Sequence, residues 1–485
     1  MEKIKEHKKD LILFFIVFLV SIVMCGAFLQ PHYALDSYMI AKEGLTQYAC
    51  ERFLQDGRPF TAILSIFADM VHMPIEVYSA ISLIFALIFM SCSVVLIYKI
   101  CINRFEQNDE KSYKVMILFA SVIFIFNYCS IELMMYLESG MLALGVLLSI
   151  IACNIIIKKQ PHYYVKSFLL LVIAAFCYQG SIAVFPILLM TYYLLFDKKN
   201  IKGNIIIIAK AALIYGLSML LTILYSNVLF HNTRILMSSQ GLDLKIILET
   251  INALIIKSLN IIPPYVHLLI LAIVSITIFF NKVDRMKILI GYIVITIASI
   301  AICLMPTIAG SGLGIEPRTC IAFGATIGIS LIFMLYSIQN ANKFIKILSY
   351  TFISVIFILN IVLFIIITNQ HILTNKADRE NCKKIEETIL EYETTTGIKV
   401  TKIAAMYRPD KDLYYPNIIH AKAITQKALN SWAVREAICF YLKRDLEYKS
   451  ITKEQYLNFF VNEKSEKYTT EPIAIEGDVI YFNGG

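Results

Sequence analysis

Charged residues at the edges of long apolar runs are the first places in this chain where chemistry is expected. Asp36 closely follows the apolar stretch 11–30. A carboxylate held at a membrane boundary is suited to act as a general base toward a hydroxyl group at the interface. The same position is also typical of a solvated residue that caps a helix. The residue type and its place therefore leave two interpretations, a base or a cap.

Three arginines near apolar runs are candidates for binding a phosphate. They are Arg58 in the segment 56–59 (DGRP), Arg234 in the loop 231–264, and Arg318 at the start of an apolar run. A planar guanidinium group donates paired hydrogen bonds to phosphate oxygens. The alternatives are a turn at DGRP and snorkelling of Arg318 to the membrane surface. The glycines before Arg318 lack the GK[ST] of a phosphate-binding loop, so no nucleotide-binding signature appears.

Three polar residues interrupt or begin other apolar runs. Tyr178 and Gln179 lie within the stretch 167–196, and Glu138 lies near the start of the stretch 135–157. Glutamine at membrane depth costs free energy unless it is hydrogen-bonded. Gln179 therefore either satisfies the backbone at a break in the helix or faces a wet cavity. Glu138 is functional if it lies within the membrane and solvated if it lies at the interface.

The composition indicates that lipid surrounds most of the chain. Its 485 residues are 58% hydrophobic and 16% charged, with a mean hydropathy of +0.68, whereas soluble domains contain about 25% charged residues. The formal charge of +8 comes from short basic clusters between apolar runs. Such clusters indicate membrane topology signals rather than nucleic-acid binding. The 11 cysteines form no CxxC pair and no Cys/His metal spacing, so no metal site is indicated.

Uninterrupted apolar stretches predict about eleven transmembrane helices, because a span needs about 20 apolar residues. The first stretch is longer than the apolar core of a signal peptide, about 7–15 residues, and is predicted to be a retained span. The stretch 167–196 is predicted to be either one long span or a hairpin of two short ones. With the hairpin, the predicted spans are 11–30, 77–98, 115–131, 135–157, 167–179, 182–196, 204–230, 265–280, 286–306, 318–338 and 344–369.

Basic residues in the loops predict the orientation. If 167–196 is a hairpin, the loops on the N-terminal side of the membrane hold 19 Lys and Arg residues, and the opposite loops hold 7. Cytoplasmic loops carry the excess of Lys and Arg. The N-terminus is therefore predicted to be cytoplasmic and the C-terminus extracytoplasmic. Asp36, Arg58, Arg234 and Arg318 then lie on the outer side.

Two predicted outer loops, 30–76 and 231–264, are too long to be simple connections. Each contains an amphipathic stretch, at 61–73 and at 244–259, whose apolar spacing predicts a helix in the membrane interface. The two helices are expected to line one outer surface.

The composition becomes charged and polar beyond residue 369. Helical periodicity at 381–393 and 431–446, with a strand pattern at 397–407, predicts a small α/β domain. The predicted fold class is an all-α polytopic membrane protein over 1–369, with a small extracytoplasmic α/β domain over 370–485.

Five short motifs occur in an order that resembles a known family. They are LDSY at 35–38, DGRPF at 56–60, MMYLESGMLALGVLLSIIA at 134–152, CYQGSIAVFP at 177–186 and EPRTCIAFG at 316–324. Their order is similar to that of the bacterial glucosyl transferase family of O-antigen modification, the serotype-conversion Gtr type of the GT-C superfamily. The resemblance covers most of the membrane part, and the C-terminal domain matches only in type and position. It implies a GT-C-like helix arrangement in the bacterial cytoplasmic membrane.

The resemblance also implies an activity, which is transfer of a hexose, such as glucose, from a polyprenyl-phosphate donor to a surface glycan such as O-antigen. The implied partners are that donor, the glycan acceptor and the lipid bilayer, alongside a flippase and a donor-synthesising glycosyltransferase, with no nucleic acid. No cofactor is implied, and a requirement for a divalent metal stays open. The resemblance implies that Asp36 is the general base. It implies that Arg58, Arg234 and Arg318 bind the phosphate, and that Tyr38, Tyr178 and Gln179 contact the substrate.

One position departs from the family pattern. Family members often carry two adjacent acids in the first outer loop, and here the second position is Ser37. A second carboxylate would have to come from Glu138, Glu132 or Glu43. We assign Glu138 as the second catalytic candidate.

Two other functions fit a chain with many spans. A transporter or flippase of lipid-linked sugars would favour a site near the membrane midplane between repeated halves, and no internal repeat is visible in the sequence. A surface-glycan polymerase would use an oligosaccharide on a diphosphate carrier instead of a single sugar on a monophosphate. Both remain alternatives to the transferase.

Overall fold

The structure is a computed structural model, and it describes residues 2–104, 111–196, 201–230, 285–309, 316–339, 341–407, 426–452 and 473–484, with isolated positions between them. Within these residues the chain is mostly helical, and a small sheet lies near the C-terminus. Both features agree with the predicted fold class.

The described chain contains both long and short helices. The α-helices are α1 (Glu2–Cys25), α2 (Leu35–Glu43), α3 (Leu45–Tyr48), α4 (Pro59–Met70), α5 (Ile75–Arg104), α6 (Lys111–Ile125), α7 (Tyr128–Met135), α8 (Ser139–Ile157), α9 (Tyr163–Cys177), α10 (Val184–Met190), α11 (Ile201–Phe230), α12 (Arg285–Ala309), α13 (Ile321–Ser337), α14 (Lys343–Thr396) and α15 (Val434–Leu442). Short 3-10 or π turns extend or join them at Gly26–Leu29, Ala49–Phe53, Gln179–Ala183, Thr191–Phe196, Pro317–Thr319 and Ala428–Asn430.

The number of helices able to cross a membrane is lower than predicted. Five described helices are long and apolar enough, and a sixth span results if α6 and α7, bent by 54° at their junction, are taken together. The count of about eleven is not confirmed. α9 has 15 residues and α13 has 17, which is short of the roughly 20 that a span needs. The predicted span 265–280 lies outside the described residues.

The ambiguous stretch 167–196 is broken in the structure. α9 ends at Cys177, the backbone at Tyr178 is extended, and a 3-10 turn from Gln179 to Ala183 leads into α10. The structure therefore contains no continuous helix across this described stretch. The break places Tyr178 and Gln179 between two helical segments, as the polar pair in the sequence suggested.

Glycines on α13 let this helix approach α6 closely. A Cβ atom at Gly328 would lie 2.5 Å from the backbone of Phe124, and one at Gly324 would overlap the side chain of Asn127. Asn127 caps α7 by accepting a hydrogen bond from the Cys129 amide at 3.0 Å. Small residues at helix contacts allow this close packing in membrane proteins. The contact fixes α7, and with it Glu132, against the start of α13.

α4 has the amphipathic character that was predicted for the stretch 61–73. Its exposed face carries Ile63, Phe67 and Met70, whereas Ala62 and Ser65 on the other face are buried. Thr61 donates a hydrogen bond to the carbonyl of Cys177 at 3.0 Å. An outward apolar face fits a helix that lies against lipid. The second amphipathic stretch, 244–259, and its loop 231–264 lie outside the described residues, apart from isolated positions.

The C-terminal part contains a four-stranded sheet. Its strands are β1 (Lys402–Tyr407), β2 (Glu447–Tyr448), β3 (Ile473–Glu476) and β4 (Val479–Gly484), in the order β2-β1-β4-β3. β1 is parallel to β2 and β4, and β3 is antiparallel to β4. The end of α14 and α15 pack on the sheet through a second apolar core.

The predicted helix 381–393 is part of α14, which runs without a break through the predicted boundary at 369 and 370. Arg444 binds Glu393 near the end of α14 through two hydrogen bonds of 2.9 and 2.8 Å. A bidentate pair of this kind fixes orientation as well as distance. The C-terminal sheet is therefore attached to the membrane helices through one continuous helix.

Candidate functional site

Charged residues from distant parts of the chain meet at the ends of several helices. Asp36 lies in the first turn of α2, Arg58 directly precedes α4, and Glu138 directly precedes α8. The charges of Asp36, Arg58 and Glu138 all act on the buried phenol of Tyr48. We call these four residues together with Tyr178 the Arg58 cluster. The structure thus brings together three residues that the sequence analysis had singled out separately.

Arg58 is the central cation of the cluster. Its Nη1 atom lies 3.7 Å from the carboxylate of Glu138, and its guanidinium lies 4.8 Å from the ring centre of Tyr178. In the described part of the chain, no atom accepts a hydrogen bond from its Nε atom, although that atom is buried. A buried guanidinium donor without an acceptor costs free energy. Arg58 therefore carries a donor that no group in the described part of the chain engages.

The carboxyl group of Glu138 has an unusual pKa. Only 5% of the residue is exposed. Burial raises the pKa of the Glu138 carboxyl to about 7, although Arg58 lowers this pKa and Asp36 raises it further. Asp36 is half-buried. Glu138 is therefore a carboxyl group that changes charge near neutral pH, and the charge of the second carboxyl group, Asp36, acts on it.

A tight turn positions Arg58. Gly57 has a φ of +74°, and a Cβ atom there would lie 2.7 Å from Ser226 Oγ and 2.8 Å from Thr222 Cγ2. Gln179 donates hydrogen bonds to the carbonyls of Asp56 at 2.7 Å and of Gly57 at 3.2 Å. Glycine meets both requirements, the positive φ and the missing side chain. In the structure, Gln179 thus holds the backbone of the DGRP turn against α11.

Arg318 forms a second ion pair beside the first. Its backbone amide donates to Glu132 Oε2 at 2.8 Å and its Nη1 atom donates to Glu132 Oε1 at 3.1 Å. The same Nη1 atom contacts the hydroxyl of Tyr136, and the guanidinium lies 4.3 Å from the ring centre of Tyr136. Glu132 is 1% exposed. Arg318 is thus already bound by protein groups, whereas Arg58 has an unpaired donor.

The two arginine sites adjoin each other at Tyr178. The charges of Glu132, Glu138 and Arg58 all act on its phenol. A Cβ atom at Gly180 would lie 2.6 Å from the Tyr178 ring and 3.3 Å from the carbonyl of Arg318. The break after α9 therefore brings both ion pairs next to one tyrosine, which the paired position of Tyr178 and Gln179 in the sequence did not show.

Other predicted site residues lie elsewhere. Tyr38 is fully buried in an aromatic group with Tyr33, Phe440 and Tyr441, and its hydroxyl is 3.1 Å from that of Tyr441. It joins α2 to α15 and is separate from the Arg58 cluster. Arg234 lies outside the described residues. The charges acting most strongly on Glu43 are those of Glu51, Arg52 and Glu436, so Glu43 is not part of the cluster.

Two residues of the site were missed in the sequence. Tyr136 contacts Arg318, and Gln426 donates a hydrogen bond to the Tyr136 hydroxyl at 2.8 Å. Gln426 also accepts one from the Leu35 amide at 2.7 Å. Tyr136 lies in the motif at 134–152, but Gln426 is 290 residues away from it, and no local pattern marks such a contact. Through Gln426 the C-terminal part reaches the start of α2 and the Arg318 site.

Comparisons with known proteins add no further assignment. No model of a protein family matches the chain, and no curated protein matches it. Among the residues that the structure describes, no group of three or more His, Cys, Asp or Glu side chains is arranged to hold a metal ion.

The pKa of Glu138 predicts how stability depends on pH. Its folded value of about 7 lies above the ordinary 4.5, so the folded state binds this proton more tightly than the unfolded chain. The resulting stabilisation is complete below the unfolded pKa and is lost as pH rises through the folded pKa. We expect the melting temperature of the detergent-solubilised protein to fall between about pH 5 and about pH 8, and Glu138→Gln to reduce this slope. An equal slope in both proteins, measured by scanning fluorimetry, would contradict the assignment.

Proposed function

We propose that the protein is a membrane glycosyltransferase that moves a hexose from a polyprenyl-phosphate donor to a surface glycan, as the resemblance to the O-antigen glucosyl transferases implies. The observation that carries the proposal is Arg58, a partly buried cation whose Nε atom has no acceptor in the described part of the chain and which pairs with Glu138. The Glu138 carboxyl in turn lies within the electrostatic influence of Asp36. A phosphate is a strong acceptor for guanidinium donors. The adjoining carboxylates supply the acid–base groups that glycosyl transfer requires.

The proposed reaction is a displacement at the anomeric carbon. An acceptor hydroxyl attacks this carbon and forms the new glycosidic C–O bond, while the C–O bond to the phosphate breaks. The hydroxyl proton passes to the carboxylate of Asp36, and the polyprenyl phosphate leaves with the bonding electron pair. Arg58 compensates the negative charge that develops on the leaving phosphate, which is the electrostatic term that usually contributes most to catalysis.

The two arginines have different proposed roles. Arg58 pairs with Glu138 at 3.7 Å, which is too long for a hydrogen bond. Arg318 donates two hydrogen bonds to Glu132 and contacts Tyr136. We therefore assign the donor phosphate to Arg58 and a positioning role to Arg318. A contribution from Arg234 remains part of the sequence prediction.

Location and orientation belong to the same proposal. The chain is placed in the bacterial cytoplasmic membrane with about eleven spans in a GT-C-like arrangement, with the N-terminus in the cytoplasm and the Arg58 cluster and C-terminal sheet outside. The apolar helices support a membrane protein, and the loop charges support the orientation.

Cysteine labelling tests the orientation. Lys384, on the part of α14 near the sheet, and Lys158, after α8, are both exposed. The exposed Cys50 lies in the first outer loop and is replaced by Ser to lower the background. We expect an impermeant thiol reagent added to intact cells to label Lys384→Cys and not Lys158→Cys. Labelling of Lys158→Cys alone, or equal labelling of both, would contradict the orientation.

Deletion of the gene in its host tests the function. We expect mass spectrometry of the surface glycan to show loss of one hexose side branch, which wild-type protein restores. Complementation with Arg58→Lys should restore part of the branch, because the charge is kept and the forked geometry is lost. Arg58→Ala should restore little, since removal of one donor at such a site costs about 10²–10³ in rate. Shortened glycan chains would indicate a polymerase instead, and an unchanged glycan would contradict both functions.

A further inference from the structure

A separate cleft opens between α2, α14 and α15. Its volume is about 920 Å³, which falls within the range of roughly 300–1,000 Å³ that is usual for ligand pockets. Ala41 and Lys42 near the end of α2 line it, whereas Asp36 lies in the first turn of the same helix. Six residues of α-helix span about 9 Å along the axis. The cleft is thus a short distance from the Arg58 cluster without being part of it.

Positive charge dominates the lining of the cleft. Five basic residues line it against two acidic ones, Glu76 and Asp445. Lys42 pairs with Asp445 at 3.2 Å, and Arg444 is bound by Glu393. Arg379 and Lys443 are exposed, and no carboxylate in the described part of the chain pairs with either of them. A cleft with one sign of charge in excess concentrates ligands of the opposite charge.

Aromatic and polar groups accompany these charges. Tyr33, Phe440 and Tyr441 line the cleft and contact one another, with ring centres 5.0 Å apart for Tyr33 and Phe440 and 5.1 Å apart for Phe440 and Tyr441. Each is partly exposed. Aromatic rings offer an apolar surface, and the tyrosines add a hydroxyl group. The C–H faces and hydroxyl groups of sugar rings match these two properties.

We propose that this cleft binds an anionic segment of the acceptor glycan, one that carries carboxylate or phosphate groups on its sugars. This inference rests on the proposed function and adds the chemical class of the acceptor. The cations recognise the acidic groups, the aromatic residues pack on the sugar rings, and the bound chain extends along α2 toward Asp36. A lipid headgroup shares the anionic chemistry, but few aliphatic residues line the cleft, so it offers little surface to an acyl chain.

Binding by the full chain in lipid nanodiscs tests the proposal. The probe is a hyaluronan octasaccharide, which carries glucuronate carboxylates, and the control probe is its neutral, carboxyl-reduced form. In phosphatidylcholine discs we expect the wild type to prefer the anionic probe. Arg379→Gln with Lys443→Gln should weaken its binding about tenfold or more, because two unpaired charge contacts are lost. Lys383→Gln with Lys384→Gln, two exposed positions on α14 outside the cleft, removes the same charge and should change binding less than about twofold.

Three results would overturn the proposal. The first is equal binding of the anionic and the neutral probe, and the second is equal weakening of binding by both double variants. The third is a cleft that does not bind the octasaccharide but binds phosphatidylglycerol supplied in the discs, which would make the cleft a lipid site. The Arg58→Ala protein should bind the octasaccharide normally. If wild type transfers hexose in the host but does not bind the anionic probe, the cleft assignment fails and the proposed function stands. If it binds the probe but deletion leaves the glycan unchanged, the proposed function fails.

Discussion

Asp36→Asn is expected to lower hexose transfer by about 10²–10⁴, the usual contribution of a general base. The amide keeps the size of the side chain but cannot accept the proton of the acceptor hydroxyl at neutral pH. Asp36 is assigned as the base in its carboxylate form, whereas burial raises the pKa of Glu138, the other acid of the Arg58 cluster, to about 7. The measurement is restoration of the hexose branch in the deletion strain, normalised to the amount of protein in the membrane.

The alternative role of Asp36 as a helix residue predicts a different result. An acid in the first turn of a helix contributes about 0.3–1 kcal/mol through the helix dipole, so a purely structural Asp36 would leave transfer nearly normal. Glu43→Gln at the end of the same helix serves as the matched control and should transfer normally. Normal transfer by Asp36→Asn together with loss of transfer by Glu138→Gln would move the base to Glu138.

Glu132→Ala is expected to destabilise the protein by about 3 kcal/mol, near the lower end of the cost of breaking a buried ion pair. Glu132 is 1% exposed, and its removal leaves both the Arg318 amide and the guanidinium without their acceptor. The cost lies at the lower end because the Arg318 side chain is 23% exposed and gains water. Unfolding by SDS titration in mixed micelles measures the free energy.

Two further variants separate this ion pair from a general effect of charge. Glu380 forms an exposed pair with Lys376 at 3.9 Å, and Glu380→Ala should cost less than about 1 kcal/mol. Adding Arg318→Ala to Glu132→Ala should recover part of the loss, because no unpaired charge then remains near the buried position. A cost for Glu132→Ala no larger than that for Glu380→Ala would show that Arg318 is not held by this carboxylate.

The sequence predicted where the helices and the C-terminal sheet lie better than it predicted the number of membrane spans. Apolar runs marked the membrane helices, and the charged tail marked the C-terminal sheet, because burial in lipid or in a small core follows from side-chain type alone. The predicted number of eleven spans is not confirmed, because the chain is broken at Tyr178 and because the helices α9 and α13 are short. Whether an apolar run of 15–17 residues crosses the membrane depends on its neighbours.

The site was predictable only in part for a related reason. Asp36, Arg58 and Glu138 each lie close to the boundary of an apolar or amphipathic stretch, and their position there suggested chemistry before their proximity was visible. The preference for Arg58 over Arg318 could not be predicted, because it depends on which carboxylate each arginine meets. Gln426 could not be found at all, since its role depends on how α14 directs the C-terminal part back onto α2.

α14 also sets a geometric condition on chain length. Its 54 residues extend about 80 Å at 1.5 Å per residue. Asn375 lies on this helix, and its side-chain oxygen accepts a hydrogen bond from the Tyr33 amide at 2.8 Å. One inserted residue between the apolar part and Asn375 would rotate everything above it by about 100°. Seven inserted residues would nearly restore the angle but raise the sheet by about 10 Å. Such an insertion therefore changes either the rotation of the sheet about the axis of α14 or the position of the sheet along that axis. The length of this stretch is thus as constrained as the side chains that it positions.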